Sequence, residues 1–139
     1  DEADAVLDTG YMPDLVQVPF NYFDNRFVAR LTALHSAGCE VHTRSPFLQG
    51  LFFTNPLNLP PFFNEVKSLI LHLQSYGDAL PGMLLHYCLR QPFIDKVIFG
   101  VNTLDQLIAN LQMPESAGSL PLLNQQISHE ILTPSTWPS

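Results

Sequence analysis

Apolar and polar residues alternate over residues 14–18, and Pro19 ends the run. Period-two alternation of this length predicts a strand. The residues before it, around 2–7, read as the end of a helix. Beyond Asp24, Phe27, Leu31 and Leu34 recur at helical spacing, which predicts a helix with Asp24 as its N-cap. Gly38 stands where a left-handed C-terminal cap is expected. Residues 39–44 then read as a second strand that runs into Ser45-Pro46, a turn signal. A stretch of about sixteen residues, 45–61, follows with five Pro or Gly positions. It is longer than ordinary connections, so it reads as a loop with a function.

From Pro61, a favoured first-turn residue, Phe62, Val66, Leu69, Ile70, Leu73 and Tyr76 repeat with a helical period until Gly77. A further helix over 81–90 is patterned to bury Leu84, Leu85 and Cys88, and Pro92 stops it. Residues 96–100 form a nearly unbroken apolar run, as in a parallel strand covered on both faces. Thr103 opens a helix with Leu104, Leu107, Ile108 and Leu111 on one side, and Gln106 three residues on completes a capping-box pattern. The Pro-rich tail, 113–139, is expected to include a short helix around 122–131.

Strands alternating with helices imply an α/β fold with parallel strands joined by crossovers. Three strands cannot close an eight-stranded barrel, which needs about 250 residues. The pattern therefore fits either a small open sheet or the back end of a larger barrel.

Charge narrows the function classes. Six basic residues against thirteen acidic ones give a net charge of -7, which disfavours nucleic acid as a partner. No apolar run approaches a membrane span. The first residues carry no leader pattern, so a cytoplasmic protein is the expectation. Cys39 and Cys88 read as free buried thiols. No CxxC, HExxH, GxGxxG, P-loop or GxSxG motif occurs, so no metal site, Rossmann cofactor site or hydrolase nucleophile is expected. Of the five histidines, His35, His72, His86 and His129 read as surface or boundary residues. His42 shares a strand face with Arg44 and is a candidate barrel-interior residue without a catalytic role.

Three segments carry a resemblance. They are Val16-Gln17-Val18-Pro19-Phe20-Asn21, the run from Glu40 to Gly50, and the run from Val97 to Leu107. In this order and spacing, with the ending Leu132-Thr133-Pro134-Ser135-Thr136-Trp137-Pro138, they resemble the aldo/keto reductase family in its bacterial branch. The resemblance covers nearly all of residues 1–139. It implies the C-terminal portion, strands six to eight with their helices, of a (β/α)8 TIM barrel, with 113–139 as the tail of the same domain. No position matches the family's catalytic Asp, Tyr, Lys and His, so no catalytic residue is assigned and this chain alone is expected to be inactive.

The resemblance instead points to cofactor binding. Barrels often hold phosphates on main-chain amides after strands seven and eight. It assigns Ser45, Phe47 and Gly50 to the pyrophosphate channel, against the alternative of a turn that merely leaves the barrel. The turn from Gly100 to Thr103, with Gly100 and Asn102 as its candidate residues, is the second phosphate-facing place. Gln17 stands where the family bonds the nicotinamide carboxamide, or is a satisfied core amide. Arg44 replaces an aromatic that stacks on the nicotinamide, and offers a flat cation or an ion pair instead. Gln106 and Asn110, one helical turn apart, correspond to positions that contact adenine and its ribose. The implied cofactor is NADP, with NAD as the alternative because the positions near Gly100 and Gln106 lack charge. The implied function is NAD(P)H-dependent reduction of a small-molecule carbonyl substrate. The rival is a non-catalytic α/β module, either a homo-oligomer or a binder of another phosphate-bearing ligand. The loop from Leu51 to Pro60 offers Phe52 and Phe53 as apolar wall residues, or as plain packing.

Overall fold

The computed structural model describes residues 9–112 and 118–138. The helix expected at 2–7 and the start of the tail at 113–117 lie outside them. The elements run β1 (Leu15–Pro19), α1 (Val28–Ser36), β2 (Glu40–Arg44), α2 (Asn64–Gln74), α3 (Leu80–Leu89), β3 (Lys96–Ile98) and α4 (Leu104–Gln112). The three strands form one parallel sheet in the order β1-β2-β3. The expected α/β fold with a small parallel sheet is therefore observed.

Strand periodicity divides the sheet into two unlike faces. Val16 and Val18, Val41 and Thr43, and Val97 alternate onto one face. Val41 and Thr43 are fully buried there, and the valines pack with Phe20, Leu31, Cys88 and Phe93. The other face carries Leu15, Gln17, Glu40, His42, Arg44, Lys96 and Ile98, which are exposed or half-buried. Residues 96–100 were expected to be covered on both sides. Instead β3 is a three-residue edge strand with Ile98 42% exposed, because no described element covers that face. Asp95 sets its entry: its carboxylate accepts the Val41 N–H at 2.7 Å, and its own N–H donates to Val41 O at 2.9 Å.

The main core lies beyond the sheet. Val66, Ile70 and Leu73 of α2 meet Leu80 and Leu84 of α3, with Leu48, Leu51, Phe52 and Phe63 from the long connection. An aromatic relay joins the two clusters. Tyr87 stacks on Phe20 at 5.8 Å and meets Tyr22 edge-on at 5.5 Å.

Three local expectations change. Asp24 does not cap α1, whose N-cap is Phe27 without a side-chain bond. Its buried carboxylate instead takes Arg26 in a two-pronged pair, 2.8 Å on each arm, and an ion pair outcompetes a lone cap bond. The connection at 45–61 is not a plain loop but three 3-10 turns, Leu48–Phe53, Pro56–Asn58 and Pro61–Phe63, which let apolar residues enter the core. The tail helix around 122–131 does not form. That segment runs over the main core by inserting Ile127, Ile131 and Leu132, and Tyr22 Oη fastens it by donating to Pro121 O at 2.8 Å. The C-cap is as expected: Gly38 at φ +96° and Cys39 donate to His35 O and Leu34 O, both at 3.0 Å, the Schellman pattern.

Replacing Ile70, fully buried, with alanine should cost about 3 kcal/mol through lost burial and a residual cavity. Leu104, 69% exposed in α4, should lose under about 0.5 kcal/mol on the same change. Urea unfolding of Ile70→Ala and Leu104→Ala checks both; equal losses would contradict this account of the core.

Candidate functional site

Because all three strands are parallel, their C-terminal ends share one edge of the sheet, the usual place for ligands in α/β folds. A cleft of ≈ 900 Å³ opens at the ends of β2 and β3, within the size range of small-molecule and cofactor sites. The connection after β2 supplies Ser45, Phe47, Gln49, Gly50 and Phe53. The turn after β3 supplies Phe99, Gly100 and Asn102, and the first turns of α4 supply Gln106 and Asn110. Arg44 stands at the end of β2, at the mouth of the same cleft.

The backbone after β2 is curled. Ser45, Leu48, Gln49 and Gly50 all have positive φ, at +62°, +44°, +54° and +81°. The three that are not glycine each carry a conformational cost of about 1–2 kcal/mol. Packing sustains it: Leu48 and Leu51 are 2% exposed and Phe52 is fully buried. Phe47 leans on Phe53 and Phe99. The Gln74 amide clamps the far end, donating to Phe52 O at 3.0 Å and Thr54 O at 2.9 Å. Within the curl the Leu48 N–H donates to Ser45 O at 3.0 Å and the Gly50 N–H to Phe47 O at 2.9 Å; backbone turned in this way receives anions in other proteins.

At the other wall, Thr103 Oγ1 accepts the Gln106 N–H at 3.2 Å, as the capping box requires. The reciprocal bond lands one residue earlier: Gln106 Oε1 accepts from Asn102 N at 2.9 Å. The Gln106 side-chain oxygen is thus engaged, at a residue that lines the cleft.

Eight of the nine candidate residues meet in this cleft: Arg44, Ser45, Phe47, Gly50, Gly100, Asn102, Gln106 and Asn110. Gln17 does not. It lies exposed at mid-strand on the uncovered face of β1, in register with His42. Phe52 and Phe53 part company, since consecutive residues of a 3-10 turn point apart: Phe53 lines the cleft and Phe52 enters the core. Gln49, Phe99 and Pro81 also line it. Gln49 lay inside the recognised segment, and Phe99 directly follows a strand, but nothing in the sequence marks Pro81 or the clamp Gln74.

Titratable groups cluster elsewhere. At the opposite end of the sheet, Glu40 Oε1 accepts from Lys96 Nζ at 2.7 Å and contacts His42 Nε2 at 2.8 Å. Those hydrogen bonds, first Lys96 and then His42, hold the Glu40 carboxyl down from its ordinary 4.5 to about 2. His35 pairs with Asp95 at 3.4 Å, a partner sixty residues away that spacing could not reveal. Burial raises the Cys88 thiol to about 12, and both cysteines are free and buried. Among the described residues no group of His, Cys, Asp or Glu could hold a metal ion. No helix there is long and apolar enough to cross a membrane.

No protein-family model matches the chain, and no curated protein matches it. Its structure is similar to the aldo-keto reductase AKR11C1 from Bacillus halodurans. Against the holo form the TM-score is 0.61 at 19% identity, over 86% of this chain and 42% of that one. Against the apo form it is 0.62 at 19% identity, over 86% and 43%. The chain therefore has an aldo-keto-reductase-like fold and spans less than half the length of these structures.

Two outcomes follow. Gly50→Ala should destabilise by about 1 kcal/mol from backbone strain alone, since a Cβ there meets nothing within 4 Å. Gly100→Ala, at an open position without positive φ, should be near neutral; thermal melts separate the two. For Glu40 the folded value lies below the unfolded one, so its pairing stabilises above pH 4.5 and is lost as pH falls toward 2. Urea midpoints of Glu40→Gln should therefore vary less than wild type over that window. Parallel curves would show the pairing to be without effect.

Proposed function

We propose that the chain is the C-terminal part, strands six to eight, of a (β/α)8 barrel of the aldo/keto reductase kind. Its cleft would hold the nicotinamide dinucleotide of an oxidoreductase that acts on small carbonyl substrates. The observation that carries this reading is the meeting, in one cleft, of the curled backbone at Ser45–Gly50 with the Gly100–Asn102 turn and the head of α4. The fold likeness supports the scaffold. The volume, the apolar walls and the convergent amides support a dinucleotide as occupant.

In this reading the pyrophosphate lies against the curl at residues 45–50, where the Leu48 and Gly50 N–H groups are already bonded within the turn and those of Ser45, Phe47 and Gln49 are left to it, and Arg44, beside Ser45 Oγ at 3.5 Å, adds the one cationic contact. Phe47, Phe53 and Phe99 give flat apolar surface. Asn102, Gln106 and Asn110 offer amides to the ribose and base. The bound dinucleotide would supply the hydride. Among the described residues the lining has no His, Tyr, Lys, Asp or Glu, so in this reading the proton for the carbonyl oxygen comes from a group outside them, and their task is binding and orientation.

Isothermal titration calorimetry of the 139-residue chain with NADH and NADPH tests the reading. Saturable one-to-one binding is expected, weakened about tenfold by Arg44→Gln, the scale of one charge-assisted hydrogen bond. No oxidation of the reduced nicotinamide by added aldehyde is expected from this chain alone. The second reading, a non-catalytic module for another phosphate ligand, draws on the same curled backbone. It gains if sugar phosphates raise the melting temperature while neither dinucleotide does.

A further inference from the structure

We infer that the cleft selects a dinucleotide with a free adenosine 2′-hydroxyl, NADH, over one carrying a 2′-phosphate. This rests on the dinucleotide reading above and runs against the NADP that the sequence resemblance implies. The chain has six cations: Arg26, Arg30, Arg44, Lys67, Arg90 and Lys96. Arg44 alone lines the cleft. Arg26 is held by Asp24, and Lys96 by Glu40 at the far end of the sheet. Arg30 and Lys67 belong to α1 and α2, and Arg90 follows α3; none of the three lines the cleft.

A pyrophosphate brings two negative charges, and a phosphate monoester adds about 1.5–2 more at neutral pH. Arg44 adjoins Ser45, at the curled backbone, so its charge serves the pyrophosphate. Among the described residues the α4 wall would meet the ligand with the side chains of Asn102, Gln106 and Asn110. Gln106 Oε1 is already engaged by Asn102 N–H, so its free donor suits a hydroxyl that accepts and donates in turn. A 2′-phosphate at that wall would lose water without gaining a counter-charge, which costs more than leaving a hydroxyl there. Phosphate recognition in dinucleotide sites ordinarily relies on a cation such as Arg. The net charge of -7 adds an unfavourable field for every further anion. No described carboxylate lines the cleft either, so selection comes from a missing counter-charge rather than from repulsion.

Titration calorimetry of the wild-type chain with NADH and NADPH separately, at one ionic strength, should give about tenfold or tighter binding of NADH. Gln106→Arg and, independently, Asn110→Arg should shift the ratio of NADPH to NADH affinity toward NADPH by about tenfold. Equal or tighter binding of NADPH by the wild type overturns the inference and leaves the dinucleotide reading standing. Absence of binding by both removes the reading and the inference together.

Discussion

Parallel pairing of β2 with β1 on one side and β3 on the other brings all three strands to an end at one edge of the sheet. From that constraint the cleft follows. The connection leaving β2 and the turn leaving β3 must emerge side by side, and the helix after β3 must begin at the same rim. An antiparallel β3 would send Gly100 and Asn102 to the opposite edge, beside Glu40. The register also fixes which side chains share a face. Arg44 and Ile98 are partners at the rim, whereas Glu40 and Lys96 meet at the other end as a charge pair.

The curled backbone at 45–50 is costly by itself and depends on what is buried beneath it. Leu48, Leu51 and Phe52 anchor it in the same core that receives Ile70 of α2 and Leu84 of α3. Stability of the helical layer and shape of the cleft are therefore coupled. The tail joins this arrangement by inserting Ile131 and Leu132. Trp137 closes it, meeting Phe63 edge-on at 5.1 Å and donating from Nε1 to Ile131 O at 3.0 Å. The sheet contributes less burial than the helices do, with one face covered and the other carrying the polar ladder of Gln17, Glu40, His42, Arg44 and Lys96.

Electrostatics divides the molecule in a similar way. Two of its six cations, Arg26 and Lys96, sit in ion pairs, and Arg44 stands at the rim of a cleft with no other charged residue among the described ones. Under the proposed function, a ligand's phosphates would meet polar amides and one cation there, and preference would follow hydrogen-bond matching and which charges go unanswered.

Local periodicity was enough to place the strands and the main helices, because burial on one side imposes a period of two or 3.6 whatever the partner is. The Gly38 cap was legible for the same local reason, and so was the Thr103–Gln106 bond. Motif order was enough to gather eight candidate residues that the fold then assembled in one place. Contacts between distant residues were not legible: Asp24 choosing Arg26 over a cap, His35 meeting Asp95, Gln74 clamping the long connection, and the tail extending over the core instead of coiling. Each is decided by which surfaces meet, a property of packing that no single segment encodes. The position of Gln17 outside the cleft belongs with these, since a strand's alternation fixes that two faces exist and only the neighbouring elements decide which of them is covered.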